Sequence, residues 1–173
     1  MSRTKTIGAL APTLAAACLL LAQAPTAEAG VLPPGSTVAG KTIGAWTADW
    51  WIWAINQPAA ANATNDTTGA RANITHAGPV FFVAGQPGNT DGSLPENIKV
   101  NRTFTVPKDK YLLVPLVNTA YWFNADGPNY EQSLDTAVNG IDSLFAVIDG
   151  VPVPNLTSHL EYSPTFSFTV DAD

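Results

Sequence analysis

The stretch Thr42-Ile-Gly-Ala-Trp-Thr-Ala-Asp-Trp-Trp-Ile-Trp-Ala-Ile-Asn-Gln-Pro58 decides how the rest of the chain is read. Ile43, Trp46, Trp50 and Trp53 fall at i, i+3, i+7 and i+10, so in a helix they share one face. Trp51, Ile52 and Ile55 widen that apolar surface, and Thr47, Asp49 and Asn56 are its few polar members. Pro58 closes the run, because a residue before proline is disfavoured in the helical region. The spacing therefore predicts a helix over Thr42–Asn56. Its indoles are best explained by packing on a sheet, each ring burying about 200 Å². The rival is an aromatic platform for sugar rings, which needs more polar neighbours than this segment has. Trp51 lies off the Ile43/Trp46/Trp50 face and is the indole left to meet a ligand. Asp49 sits among tryptophans, where a carboxylate must be solvated or paired.

Composition narrows the class. The chain has 173 residues, 46% hydrophobic and 13% charged, against a charged share of about 25% in ordinary domains. That excludes a disordered tail, which carries more charge and fewer aromatics. It also excludes a coiled coil, which needs Glu, Lys and Leu at heptad spacing. Thirteen Gly and fourteen Pro imply frequent turns. The net charge of −6 opposes phosphate contacts, so nucleic acid is not an expected partner.

Residues 1–29 read as an export signal. Arg3 and Lys5 open it, an apolar stretch runs from Ile7 through Ala22, and Ala27-Glu28-Ala29 offers a small-x-small cleavage site. The apolar part is shorter than the roughly 20 residues that span a bilayer, and Pro12 breaks it, so no stable membrane span is expected after cleavage. Leu19, Leu20 and Leu21 continue the apolar run past Cys18, which argues against lipid attachment there. The expected location is secreted, extracellular or periplasmic. Cys18 is the only cysteine, so the processed chain would hold neither disulfide nor thiol nucleophile.

Residues 30–41 read as a flexible lead, with residues 42–173 as one domain. Pro79–Ala84 reads as a buried strand ended by Gly85, and Ile98–Val106 alternates as a half-exposed strand should. Tyr111–Val117 is a more apolar strand in which Pro115 favours an edge or a bulge. Glu131–Asn139 has helical spacing, with Gly140 as its cap. Ser143–Ile148 and Val151–Val153 flank Asp149-Gly150, the strongest hairpin signal present. Ser163–Val170 alternates Phe166, Phe168 and Val170 with Ser167 and Thr169. The expected architecture is mainly β, a single β-sandwich-like domain with a Trp-rich N-terminal helix and a second short helix. Only Asp171-Ala172-Asp173 follow the final strand signal, which reads as a fragment cut short.

Three pieces together resemble a family of uncharacterised secreted bacterial proteins. They are the Trp-rich run ending in Pro58; Asp66-Thr-Thr-Gly69 followed by Gly78-Pro-Val-Phe-Phe-Val-Ala-Gly85; and Val106-Pro-Lys-Asp-Lys-Tyr-Leu-Leu-Val-Pro-Leu-Val-Asn118 with Asp149-Gly-Val-Pro-Val153 downstream. The resemblance covers most of Thr42–Val170 and implies a secreted β-rich domain. It supplies no activity, substrate or catalytic residue. Such relatives often carry cysteines near the positions of Ala72 and Phe104 here, and they continue past Phe168 with further strands. The resemblance therefore implies a C-terminally truncated member.

Candidates for chemistry are sparse. His76 and His159 stand far apart, and no His-x-His, His-Glu-x-x-His or Gly-x-Ser-x-Gly spacing occurs. No cofactor is implied. Paired carboxylates would suit glycoside chemistry; Asp49, Asp66, Asp126, Asp142 and Asp149 are the candidates, and the pair expected is one that includes Asp49 or Asp126. Asp66 is expected to organise its loop through an Asx-turn. The loop containing Asn89, Asp91 and Ser93 is a weak calcium candidate, lacking the Gly and Glu of an EF-hand at Leu94 and Val100. The expected function is non-enzymatic binding, adhesion or structure at the cell surface, toward a glycan or a cell-surface partner, with Trp51, Asp49 and Asp126 as ligand residues. The alternative is a secreted carbohydrate-active hydrolase using a carboxylate pair.

Overall fold

A computed structural model describes residues 3–4, 30–74, 78–85, 100–121 and 129–169. Its organising element is helix α1, Ile43–Ile55. Thr42 caps its start, Oγ1 accepting from the Ala45 N–H at 3.1 Å. The last carbonyls of a helix lack intrahelical partners. Here the Gln57 amide donates to the Trp53 carbonyl at 3.1 Å. Asn62 donates to the Ala54 carbonyl at 2.8 Å. Polar residues just beyond the helix thus finish it where Pro58 forbids continuation.

Trp46, Trp50 and Trp53 are buried, as the helical spacing requires. They lie over strands β4 (Val80–Phe82) and β6 (Tyr111–Leu113), which run parallel with Phe81 opposite Leu112. One cluster gathers Trp50, Trp53, Ala54 and Ala63, and a second gathers Val38, Trp46 and Val80; Phe82 and Leu113 pack against both. Burying a large apolar side chain stabilises by about 1.5–3 kcal/mol. Each indole N–H is also satisfied: Trp46 donates to Val38 O at 2.9 Å, Trp50 to Val83 O at 3.0 Å and Trp53 to Ile74 O at 3.1 Å. The far face of β4 is covered by Phe104, stacked on fully buried Phe81 at 5.7 Å.

Short pieces complete the described structure. Strands β2 (Thr37–Val38) and β3 (Lys41–Thr42) form a hairpin into α1, with Ala39 and Gly40 at positive φ. Strand β5 (Thr105–Val106) pairs with β1 (Arg3–Thr4), which lies inside the segment read as a leader. Helix α2 spans Tyr130–Asn139. Strands β7 (Val147–Ile148) and β8 (Val151–Pro152) pair across Asp149 and Gly150, both at positive φ as a two-residue hairpin turn requires.

The β-sandwich expectation is overturned. Among the described residues helix outweighs strand, about 26% against 14%, and every sheet has two strands. A sandwich needs two extended sheets packed face to face, and the described strands form only two-stranded pairs of two or three residues per strand. Proline supplies part of the reason. Pro115 has no N–H to extend β6, which stops at Leu113. Beyond it Val114 and Leu116 face solvent. The described part of Ser163–Val170, through Thr169, joins no ladder, and Phe166 and Phe168 instead meet each other at 6.1 Å. Of Ile98–Val106, only Thr105–Val106 is strand among the described residues.

Candidate binding groove

One side of helix α1, where the core residues Trp46 and Trp53 give way to Asp49, Ile52 and Asn56, borders a groove. Trp46, Asp49, Ile52, Trp53 and Asn56 follow one another along one side and form one wall of a groove of about 470 Å³. Ile74 and Phe82 form the opposite wall, and Gln57 and Pro58 close the end. Ligand pockets commonly fall between about 300 and 1,000 Å³. The lining is largely aromatic, with Phe82 lying 6.3 Å from Trp46 and 5.6 Å from Trp53, its ring tilted by 61° and 54° to theirs. The Trp53–Ile74 hydrogen bond ties the two walls together.

The polar groups differ in what they have left to offer. Gln57 is spent, since its amide N–H goes to Trp53 and its carbonyl accepts the Ala63 N–H at 2.9 Å. Asp49 Oδ2 accepts from the Lys41 ammonium at 2.5 Å, and that ammonium sits 4.8 Å from the Trp46 ring centroid. The pair is partly exposed, so it adds little stability. Its effect is to make this end of the groove locally neutral. Asn56 is exposed at the other end, one helical stripe along from Asp49.

Of the expected ligand residues, Asp49 lies in the groove and Trp51 does not. Trp51 is half-buried and meets Trp50 edge-on at 5.3 Å, on another side of the helix. Asp126 and the calcium candidates Asn89, Asp91 and Ser93 lie outside the described residues. Among the described residues no three His, Cys, Asp or Glu side chains gather as a metal site would need. Asn56 was visible in the sequence as the residue at i+7 from Asp49. Nothing local pointed to Lys41, Ile74 or Phe82.

Other acidic side chains are engaged in structure. Asp66 Oδ1 accepts from the Thr68 hydroxyl at 2.6 Å and the Thr68 N–H at 2.8 Å, and Oδ2 accepts from the Arg71 N–H at 2.8 Å. The Thr68 hydroxyl first, then the Arg71 N–H, hold this carboxyl well below the usual range. Arg102 ties the same loop down, donating from Nε to Asp66 O at 2.6 Å and from Nη1 to Ala84 O at 2.5 Å. Partial burial lowers the Arg102 pKa, and Asp66 opposes that shift. Glu161 lies across the start of α1, accepting from the N–H groups of Gly44 at 2.9 Å and Gly35 at 3.2 Å. Asp135 accepts from the Tyr162 hydroxyl at 2.9 Å, which raises the tyrosine pKa.

No family model, curated protein or solved structure matches the chain. No described helix is long and apolar enough to cross a membrane.

Proposed function

We propose that this protein is an exported binding protein that holds a ligand at the cell surface, or outside the cell, in the groove along α1, without turning it over. The observation that carries the reading is the groove itself. Its apolar lining, which includes Trp46, Trp53 and Phe82, is bordered by an acid–ammonium pair and the exposed Asn56 amide. An apolar surface with a few placed polar groups is the usual composition of a ligand site. The basic, apolar and small-x-small pattern of residues 1–29 and the resemblance to secreted proteins support a place outside the cytoplasm.

The test is a nuclear magnetic resonance screen of cell-envelope and extracellular-matrix components, read on the indole N–H signals. A ligand in the groove should shift Trp46 and Trp53 and leave Trp51 in place. Ile52→Trp, which puts an indole into the groove, should abolish the shifts. Turnover of a ligand that is lost in Asp49→Asn would replace this reading with a hydrolase.

A further inference from the structure

We propose that two copies of this chain join through the outer edge of β6, as an antiparallel strand pair about a twofold axis beside Leu113. Strand β6 has two edges, and among the described residues β4 pairs with one of them. Tyr111 donates its N–H to Pro79 O at 3.0 Å, and Leu113 O accepts from the Val83 N–H at 2.9 Å, so the main-chain groups of Tyr111 and Leu113 point at β4. Along an extended strand these groups alternate in direction, which turns those of Leu112 and Val114 to the other edge. Pro115 falls in the set that faces β4. Its missing N–H ends the β4–β6 ladder, and Val83 O, the acceptor next in line, takes the Trp50 indole N–H instead at 3.0 Å. The outer edge keeps the donors of Leu112 and Val114, so a residue that guards many strand edges acts here on the opposite side.

The side chains along that edge are apolar and in water. Leu112 is 50% exposed, Tyr111 and Val114 51% and Leu116 44%. Together they expose on the order of 400 Å² of apolar surface, the scale at which a patch on a monomer is often an interaction site. A second copy suits the edge because the edge is complementary to itself. With the axis beside Leu113, Leu112 of each copy faces Val114 of the other, and each such pair exchanges both backbone hydrogen bonds. Both pairs are apolar and lie on the face of the sheet that carries Phe81. An unrelated peptide would meet the backbone groups but not the Leu–Val order, which a second copy brings by symmetry. Charge fixes the direction. Lys108 and Lys110 precede the strand, and a parallel pairing would set the lysines of the two copies side by side. The antiparallel one separates the Lys110 residues by roughly 20 Å, beyond the screening length of about 8 Å. The area stays below the roughly 800 Å² per copy of a standard interface, so a reversible dimer is expected, with Kd of roughly 10–100 μM.

The experiment is sedimentation equilibrium of the protein over a concentration series from about 1 μM to about 1 mM, with amide hydrogen exchange at both ends of the series. The expected result is a rise from monomer to dimer mass. Exchange at Leu112 and Val114 should slow at least about tenfold in the dimer, while Tyr111, bonded to β4, is protected at every concentration. Leu112→Glu and Val114→Lys, both at half-exposed positions, should each weaken dimerisation at least about tenfold and leave the near-ultraviolet circular dichroism unchanged. Mixing the two variants should restore a dimer. The new carboxylate of one copy then faces the new ammonium of the other, and the second pair keeps Val114 against Leu112. A protein that stays monomeric throughout the series overturns the proposal, as does an assembly larger than a dimer. A dimer indifferent to both substitutions places the interface elsewhere and also overturns it. Slow exchange at Leu112 and Val114 in the dilute monomer has the same force, because the edge is then covered from within the chain. Mixed variants that do not associate refute the pairing about Leu113.

Discussion

Gly44→Ala sets two forces against each other at the start of α1. Helix propensity alone favours the change by about 1 kcal/mol, because glycine loses more backbone entropy on entering a helix. Tertiary contact opposes it. A Cβ on Gly44 would lie 2.3 Å from the Tyr162 carbonyl oxygen and 3.3 Å from its carbon, both backbone atoms. The 161–162 segment must then move away by about an ångström, since it has no side-chain rotamer to yield. That movement strains the Gly44 N–H bond to Glu161 at 2.9 Å and the Gly35 bond at 3.2 Å. A hydrogen bond to a charged group contributes about 1.5–3 kcal/mol, and the exposed geometry places this pair near the lower end of that range. Losing most of it outweighs the propensity gain, for a net destabilisation of about 1–2 kcal/mol. In a chain of this size that lowers Tm by roughly 3–6 °C. Thermal melts followed by circular dichroism measure it, and amide hydrogen exchange at Gly35 reports the loosened carboxylate. A double-mutant cycle with Glu161→Ala should show strong coupling, because removing Glu161 first leaves less to lose. A raised Tm for Gly44→Ala, with Gly35 protection unchanged, would refute the placement of Glu161 and Tyr162 against the helix.

Gly69→Ala and Gly78→Ala form a matched pair, since both glycines have positive φ (+92° and +79°), while only at Gly69 would a Cβ strike backbone, 2.6 Å from Thr103 O. Urea titration should show about 1–2 kcal/mol lost at Gly78 from φ strain and distinctly more at Gly69; equal losses would remove the Gly69–Thr103 contact. Phe81→Ala should cost about 3–5 kcal/mol as a fully buried ring stacked on Phe104 is deleted, read as a drop in the urea midpoint. Asp66→Asn should flatten the acid limb of stability. The folded carboxyl titrates well below the ordinary 3.8, so its stabilisation is fully present above about pH 4 and fades as the pH falls further. Denaturant midpoints against pH would show parent and variant converging on acidification, and parallel curves would contradict it.

What the chain discloses locally and what it withholds follow a physical division. Helix α1 was legible because periodicity and a stopping proline are written within one segment, and the β7–β8 turn was legible because Asp149-Gly150 states its own φ requirement. The sandwich was not there to be read. Alternation at Leu112, Val114 and Leu116 reports which side chains share a face, and says nothing of whether a partner strand covers that face; here all three are exposed. The same division runs through the groove. Asp49, Ile52 and Asn56 belong to one helical stripe and could be found by counting. Lys41 reaches Asp49 only because the β2–β3 hairpin folds it back, and Ile74 and Phe82 arrive through loops whose course no short-range pattern specifies. Trp51 was chosen for lying off the core face, yet distance from the core face does not place a residue in a cleft.

The indoles explain why such a groove would hold its shape. Each of the three buried rings is anchored twice, by its apolar face in the core and by its N–H on a different segment: Trp46 on β2, Trp50 just past β4 at Val83, Trp53 on Ile74. Two of those anchors set the opposite wall, because Ile74 is itself a wall residue and Val83 follows Phe82 directly. The width of the trench is therefore governed by hydrogen bonds within the helix–sheet interface, with no ligand required to draw the walls together. A site held open in this way avoids part of the ordering cost of association. Beside the groove, Arg102 ties the Ala84 carbonyl to the Asp66 backbone carbonyl, so the loop that the Asp66 carboxylate organises through Thr68 and Arg71 is fastened to the chain just past β4.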